Sequence, residues 1–90
     1  MSTLLIGYDL LRPRQEYGPL IQRLKTMGSW WHCLDSTWLL KTTLTTVQVR
    51  DQLMGLLDPN DRLLVIDVSG RARAWVGFSE ECASWLRNNV

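Results

Sequence analysis

Cysteine, histidine and net charge are all scarce in this 90-residue chain, which has two cysteines, one histidine and a formal charge of +1. Cys33 and Cys82 lie far apart, so they form neither the dense disulfide framework of a small secreted domain nor a short-spaced zinc pattern. They read as reduced, part-buried thiols. No apolar stretch approaches the roughly 20 residues that would span a bilayer. The N-terminus lacks the basic region and cleavage site of a signal peptide, so no membrane association and a cytoplasmic location are expected. A charge of +1 supplies no overall field to hold a polyanion, and any nucleic-acid binding must therefore be local. The hydrophobic share of 46% favours a folded domain. A chain this short draws much of its possible burial from self-association. Five tryptophans, Trp30, Trp31, Trp38, Trp75 and Trp85, are the compositional oddity; they suit core and dimer contacts, with base stacking as the alternative.

Residues 4–8, Leu-Leu-Ile-Gly-Tyr, are apolar on both faces and predict a central strand that stops at Asp9. A helix starts between Gln15 and Gly18, tolerates Pro19 only in its first turn, and runs to Met27 with Gly28 as its stop. Residues 29–34 and 37–42 are rich in aromatic and β-favouring types around the turn formers Asp35 and Ser36, and predict a strand pair. Thr45 followed by Gln48 predicts a capping box for a second helix, ended by Asp58-Pro59-Asn60. Residues 63–68 form a last strong strand, 72–76 a short extended segment, and Ser79 caps a terminal helix. The order β-α-β-β-α-β is the ferredoxin-like α+β arrangement, an antiparallel sheet with two helices on one face. Residues 1–70 form this core and 71–90 a strand/helix extension of the same domain.

Fold alone does not decide function, so candidate sites have to be weighed one by one. Asp9, at a strand end beside Arg12 and Arg14, is a carboxylate that could hold a water-rich Mg²⁺ while the arginines meet phosphate; its plainer role is to shape the turn. Arg71 and Arg73 are the second basic pair that could line a nucleic-acid surface, or simply a solvated face. His32, Asp35 and Ser36 have the residue types of a hydrolytic triad, but strand alternation sets Asp35 on the opposite face from His32 and Ser36. His32 could act alone as a general acid or base, against the plainer role of a hydrogen-bonded core or interface residue.

The run Leu4 to Leu10 through Tyr8-Asp9, the segment Ser36-Thr37-Trp38-Leu39 and the turn Asp58-Pro59-Asn60-Asp61 resemble the CRISPR-associated Cas-two family. Trp30-Trp31-His32 and Asp35-Ser36-Thr37-Trp38 resemble more closely its small stand-alone bacterial SinR-like relatives. The looser resemblance spans residues 3–68, and the closer one extends into the terminal helix. It implies a ferredoxin-like homodimer in which Asp9 faces its symmetry mate and shares a divalent metal; from the residues themselves, His32 and Asp35 are weaker candidates to assist. Family members include metal-dependent nucleases acting on DNA or RNA and non-catalytic DNA-holding partners of an integrase. Toxin-like endoribonucleases of the virulence-associated protein D kind resemble the same fold. The loop with Pro13, the tryptophan-rich hairpin and the terminal helix depart from the family pattern. Two functions follow as expectations: a Mg²⁺-dependent nuclease, or a non-catalytic dimer that binds nucleic acid or a protein partner.

Overall fold

The computed structural model describes residues 1–12 and 17–90. Four strands, β1 (Ser2–Asp9), β2 (Ser29–Trp31), β3 (Thr37–Thr42) and β4 (Arg62–Asp67), form one antiparallel sheet in the order β2-β3-β1-β4. The helices are α1 (Gly18–Thr26), α2 (Thr46–Met54) and α3 (Glu80–Asn89). β1 is central, as its two-sided apolar run predicts. Its register sets Leu4 opposite Leu40 and Ile6 opposite Trp38, which places these four side chains on one face of the sheet. That face meets Leu20 and Leu24 of α1 and Val49 and Leu53 of α2, all fully buried. Truncating any of these leucines to alanine removes about 2–5 kcal/mol of stability.

Local signals place the helices. Thr45 Oγ1 accepts the Gln48 backbone N–H at 3.1 Å and Gln48 Oε1 accepts the Thr45 N–H at 2.9 Å, the reciprocal capping box expected for α2. Ser79 Oγ accepts the Cys82 N–H and caps α3, with Glu80 and Glu81 in the first turn, where the helix dipole favours acids. Pro19 stands in the first turn of α1, as it must. Gly28 then lets the chain lie against β3, because a Cβ there would sit 2.2 Å from the Lys41 carbonyl oxygen.

The second sheet face is not left to solvent. Trp31 and Leu39 pack with Leu86 of α3, joined by Leu5, Val68, Trp75, Phe78, Cys82, Trp85 and Val90. The Trp31 indole N–H donates to the Cys82 carbonyl at 3.1 Å, and the Trp85 indole donates to Ser29 Oγ at 3.0 Å. The sheet is thus covered on one side by α1 and α2 and in part on the other by α3 and the segment before it.

Three expectations are corrected here. Cys33 and Cys82 form a disulfide, with Cα atoms 6.4 Å apart and 49 residues between them in sequence. They are not reduced thiols: α3 folds back over the β2–β3 hairpin and brings together cysteines that sequence spacing separates. The cysteine argument for a reducing compartment falls with it. Strand β2 ends at Trp31 rather than at residue 34, because His32 to Ser36 turn the chain towards β3. Residues 72–76 form no strand within the chain; their backbone makes no hydrogen bond to another backbone group among the described residues. No helix is long and apolar enough to cross a membrane among the described residues.

Closing so long a loop restricts the unfolded chain, so reduction or Cys82→Ser is expected to remove about 2–4 kcal/mol. Thermal unfolding with and without reductant should read this as a fall in Tm of roughly 10 °C or more. An unchanged Tm would mean that the apolar layer alone carries α3.

Candidate functional site

The end of β1 is fastened to the turn before β4 by a polar network. Asp61 accepts the Leu11 backbone N–H at 2.9 Å, the Tyr17 hydroxyl at 2.7 Å and the Asp58 backbone N–H at 2.8 Å. Tyr17 is buried, and its hydroxyl also accepts the Arg12 backbone N–H at 3.2 Å. The Arg12 guanidinium reaches Asp58 at 2.8 Å, and Asp58 accepts the Asn60 backbone N–H at 3.1 Å. The hydrogen bond from Arg12 is the main cause holding the Asp58 carboxyl below its ordinary value. Burial pushes the Asp61 carboxyl upward, but the hydrogen bonds from Leu11, Tyr17 and Asp58 together outweigh it and leave the group lowered. Burial, and then donation to Asp61, raise the Tyr17 hydroxyl.

This clamp shapes a cleft of about 210 Å³ lined by Tyr8, Asp9, Leu10, Arg12, Tyr17, Ile21, Asp35 and Ser36. Four of the residues singled out in the sequence, Asp9, Arg12, Asp35 and Ser36, therefore meet at one place. The Asp9 carboxylate is exposed and makes no hydrogen bond or ion pair with any described residue. Its register partner on β4 is Arg62, also exposed, so an acid and a base stand side by side on the second sheet face. His32 stands next to this cleft rather than in it. Its ring stacks on Trp38 with centroids 3.9 Å apart, and Nε2 lies 2.9 Å from the Asp35 carbonyl oxygen. Trp38 in turn donates its indole N–H to the Tyr8 hydroxyl at 2.9 Å.

Arg71 and Arg73 are exposed and belong to the segment that crosses the second face, where Arg73 lines a groove with Leu5, Trp31 and Thr37. Arg14 lies outside the described residues, as do Gln15 and Glu16 of the range in which the first helix was expected to begin; α1 is described from Gly18, the end of that range. Among the described residues no group of three or more His, Cys, Asp or Glu side chains is placed to hold a metal ion. Sequence reading missed Tyr17, Asp58, Asp61 and Arg62. The turn Asp58-Pro59-Asn60-Asp61 carried a signal only for chain reversal, and Arg62 is defined as a neighbour of Asp9 solely by strand register.

No known family model matches this chain, and no solved structure matches it.

The lowered Asp58 and Asp61 carboxyls predict acid sensitivity. Each folded-state value lies below the unfolded one near 3.8, so the clamp contributes its stability above that value and loses it as pH falls through the depressed folded values. Asp61→Asn is expected to lower stability at pH 7 and to flatten the decline between about pH 5 and pH 2. Unfolding in denaturant across that pH range checks both effects; an acid limb identical to the parent protein's would contradict them.

Proposed function

We propose that the chain is a ferredoxin-like subunit of a homodimer that acts on nucleic-acid phosphodiesters, with Asp9 from each subunit meeting at the two-fold axis. The observation that carries this reading is the position of Asp9. It is an uncommitted carboxylate at the end of the central strand, on the sheet face that α3 covers only in part. Alternation puts Leu64 and Ile66 of the edge strand β4 on that same face, and they are 59% and 47% exposed. Val76, in the crossing segment, is 92% exposed. Apolar side chains held this far open on one side of a sheet suit a second copy of the chain.

The backbone adds support. β4 has a free outer edge, and residues 72–76 have unpaired N–H and C=O groups. Strand addition between two copies would satisfy both sets. Bringing two such faces together draws the Asp9 carboxylates towards one another, and like charges approach closely only if something neutralises them.

The donor set suits a hard, water-rich cation: exposed carboxylate oxygen, one from each chain, with room for water. Mg²⁺ bound there would supply charge stabilisation at phosphate and a water of lowered pKa. Asp9 would hold the ion, Arg62 would offer its guanidinium to phosphate oxygens, and the clamp of Tyr17, Asp61 and the Arg12–Asp58 pair would fix the loop that follows Asp9. Asp35, at the wall of the cleft, and His32 beside it would orient a substrate group or a water.

One observation favours the second reading, a non-catalytic nucleic-acid- or protein-binding dimer. Arg62 lies across from Asp9 and can neutralise it without a metal. Cleavage assays on labelled DNA and RNA separate the two. We expect Mg²⁺-dependent cleavage that chelator removes and that Asp9→Asn abolishes, while light scattering still reports a dimer. Cleavage surviving Asp9→Asn would overturn the shared-carboxylate mechanism. Absence of cleavage with salt-dependent binding intact would establish the binding module.

A further inference from the structure

Five tryptophans in one small chain raise the question of which of them are spent on folding. Trp31 and Trp38 are buried, and the indole N–H groups of Trp31, Trp38 and Trp85 all donate within the fold. Trp30 differs. It is 41% exposed on the edge strand β2, and its indole N–H has no partner among the described residues. The ammonium of Lys25, in the last turn of α1, lies 5.1 Å from the centre of its ring. The Trp30 and Trp38 ring centres lie 5.4 Å apart, and His32 stacks on Trp38 at 3.9 Å. Trp30, Trp38 and His32 thus form an aromatic row on the first face across β2 and the start of β3, with Trp38 buried in its middle, and His32 leads through the Asp35 carbonyl to the cleft that Asp9 also lines.

We propose that this edge is a docking site for single-stranded nucleic acid, in which an unpaired base stacks on Trp30 and the neighbouring phosphate pairs with Lys25. The proposal rests on the phosphodiester reading above and narrows its substrate to strands with unpaired bases. Stacking needs an accessible aromatic face and tolerates any base, and a cation beside the ring supplies the phosphate contact. A base arriving on Trp30 displaces the Lys25 ammonium from the ring and leaves it next to the incoming backbone. The free indole N–H gives a further donor. A duplex, whose bases are already stacked, cannot use the platform. From Lys25 the strand would pass His32 towards the cleft that Asp35 and Asp9 line.

The test is fluorescence anisotropy with a labelled ten-nucleotide DNA strand and RNA strand, each alone and annealed to its complement, at several salt concentrations. Single strands are expected to bind more tightly than duplexes. Trp30→Leu, which keeps an apolar contact with Trp38, is expected to weaken single-strand binding roughly 5- to 150-fold, with Trp30→Phe retaining most of the affinity. Lys25→Gln is expected to reduce the salt slope for single strands by about 0.7. Equal affinity for single strand and duplex, unchanged binding by Trp30→Leu, or no binding of either form at low salt would each overturn the proposal. Single-strand binding that depends on Trp30 but is accompanied by no cleavage would support it while removing the nuclease mechanism at Asp9.

Discussion

Because β1 lies between β3 and β4 and carries Leu4 and Ile6 on one face and Leu5 on the other, the sheet has to be shielded from water on both sides. The helices α1 and α2 shield the first face through a compact set of fully buried leucines and Trp38. The second face is shielded by a chain segment that returns late, and there the design is different. Its contacts are aromatic, its hydrogen bonds come from indole N–H groups, and a disulfide ties α3 to the turn after β2. A ten-residue helix with limited apolar area gains from such a tether, since its own burial opposes the entropy of ordering the 71–90 segment.

That partial cover shapes what the molecule can do. α3 and the crossing segment serve β2, β3 and the flank of β1, and leave Leu64 and Ile66 of β4 open. Asp9 emerges on this same open side, while the Tyr17–Asp61–Asp58 network holds the loop that follows it. The aromatic edge lies on the first face and ends at the cleft wall formed by Asp35 and Ser36. The open apolar side chains and the uncommitted carboxylate lie on the second face and the aromatic row on the first; the row nears the Asp9 end of the sheet only where His32 and Asp35 meet the cleft, and it is along this path that recognition of a phosphodiester strand is proposed.

Much of this architecture is written in short-range signals. The two-sided apolar run of residues 4–8, the Thr45–Gln48 box, Pro19 in a first turn and Ser79 as a cap each act within a few residues, and each element formed where its signal lies. The features that escaped depend on contacts between distant segments. Cys33 and Cys82 meet only because α3 crosses back over β2 and β3. Arg62 becomes the neighbour of Asp9 through register alone. The buried hydroxyl of Tyr17 finds Asp61 across 44 residues. Residues 72–76 have the composition of a strand but pair with neither edge of the chain's own sheet, so propensity alone did not make one. Within the candidate site, the presence of Asp9 and Arg12 at a strand end was legible, while the clamp that orients them was not.

The central claim is that two copies of the chain meet on the open side of the sheet so that their Asp9 side chains approach one another. A spin label attached through Asp9→Cys in the oxidised protein reads this directly from the dipolar coupling between the two labels of a dimer. The account predicts a single narrow separation shorter than the 20 Å short axis of one protomer. Labels farther apart than its 34 Å long axis, or no coupling at concentrations where the protein is dimeric, would contradict it.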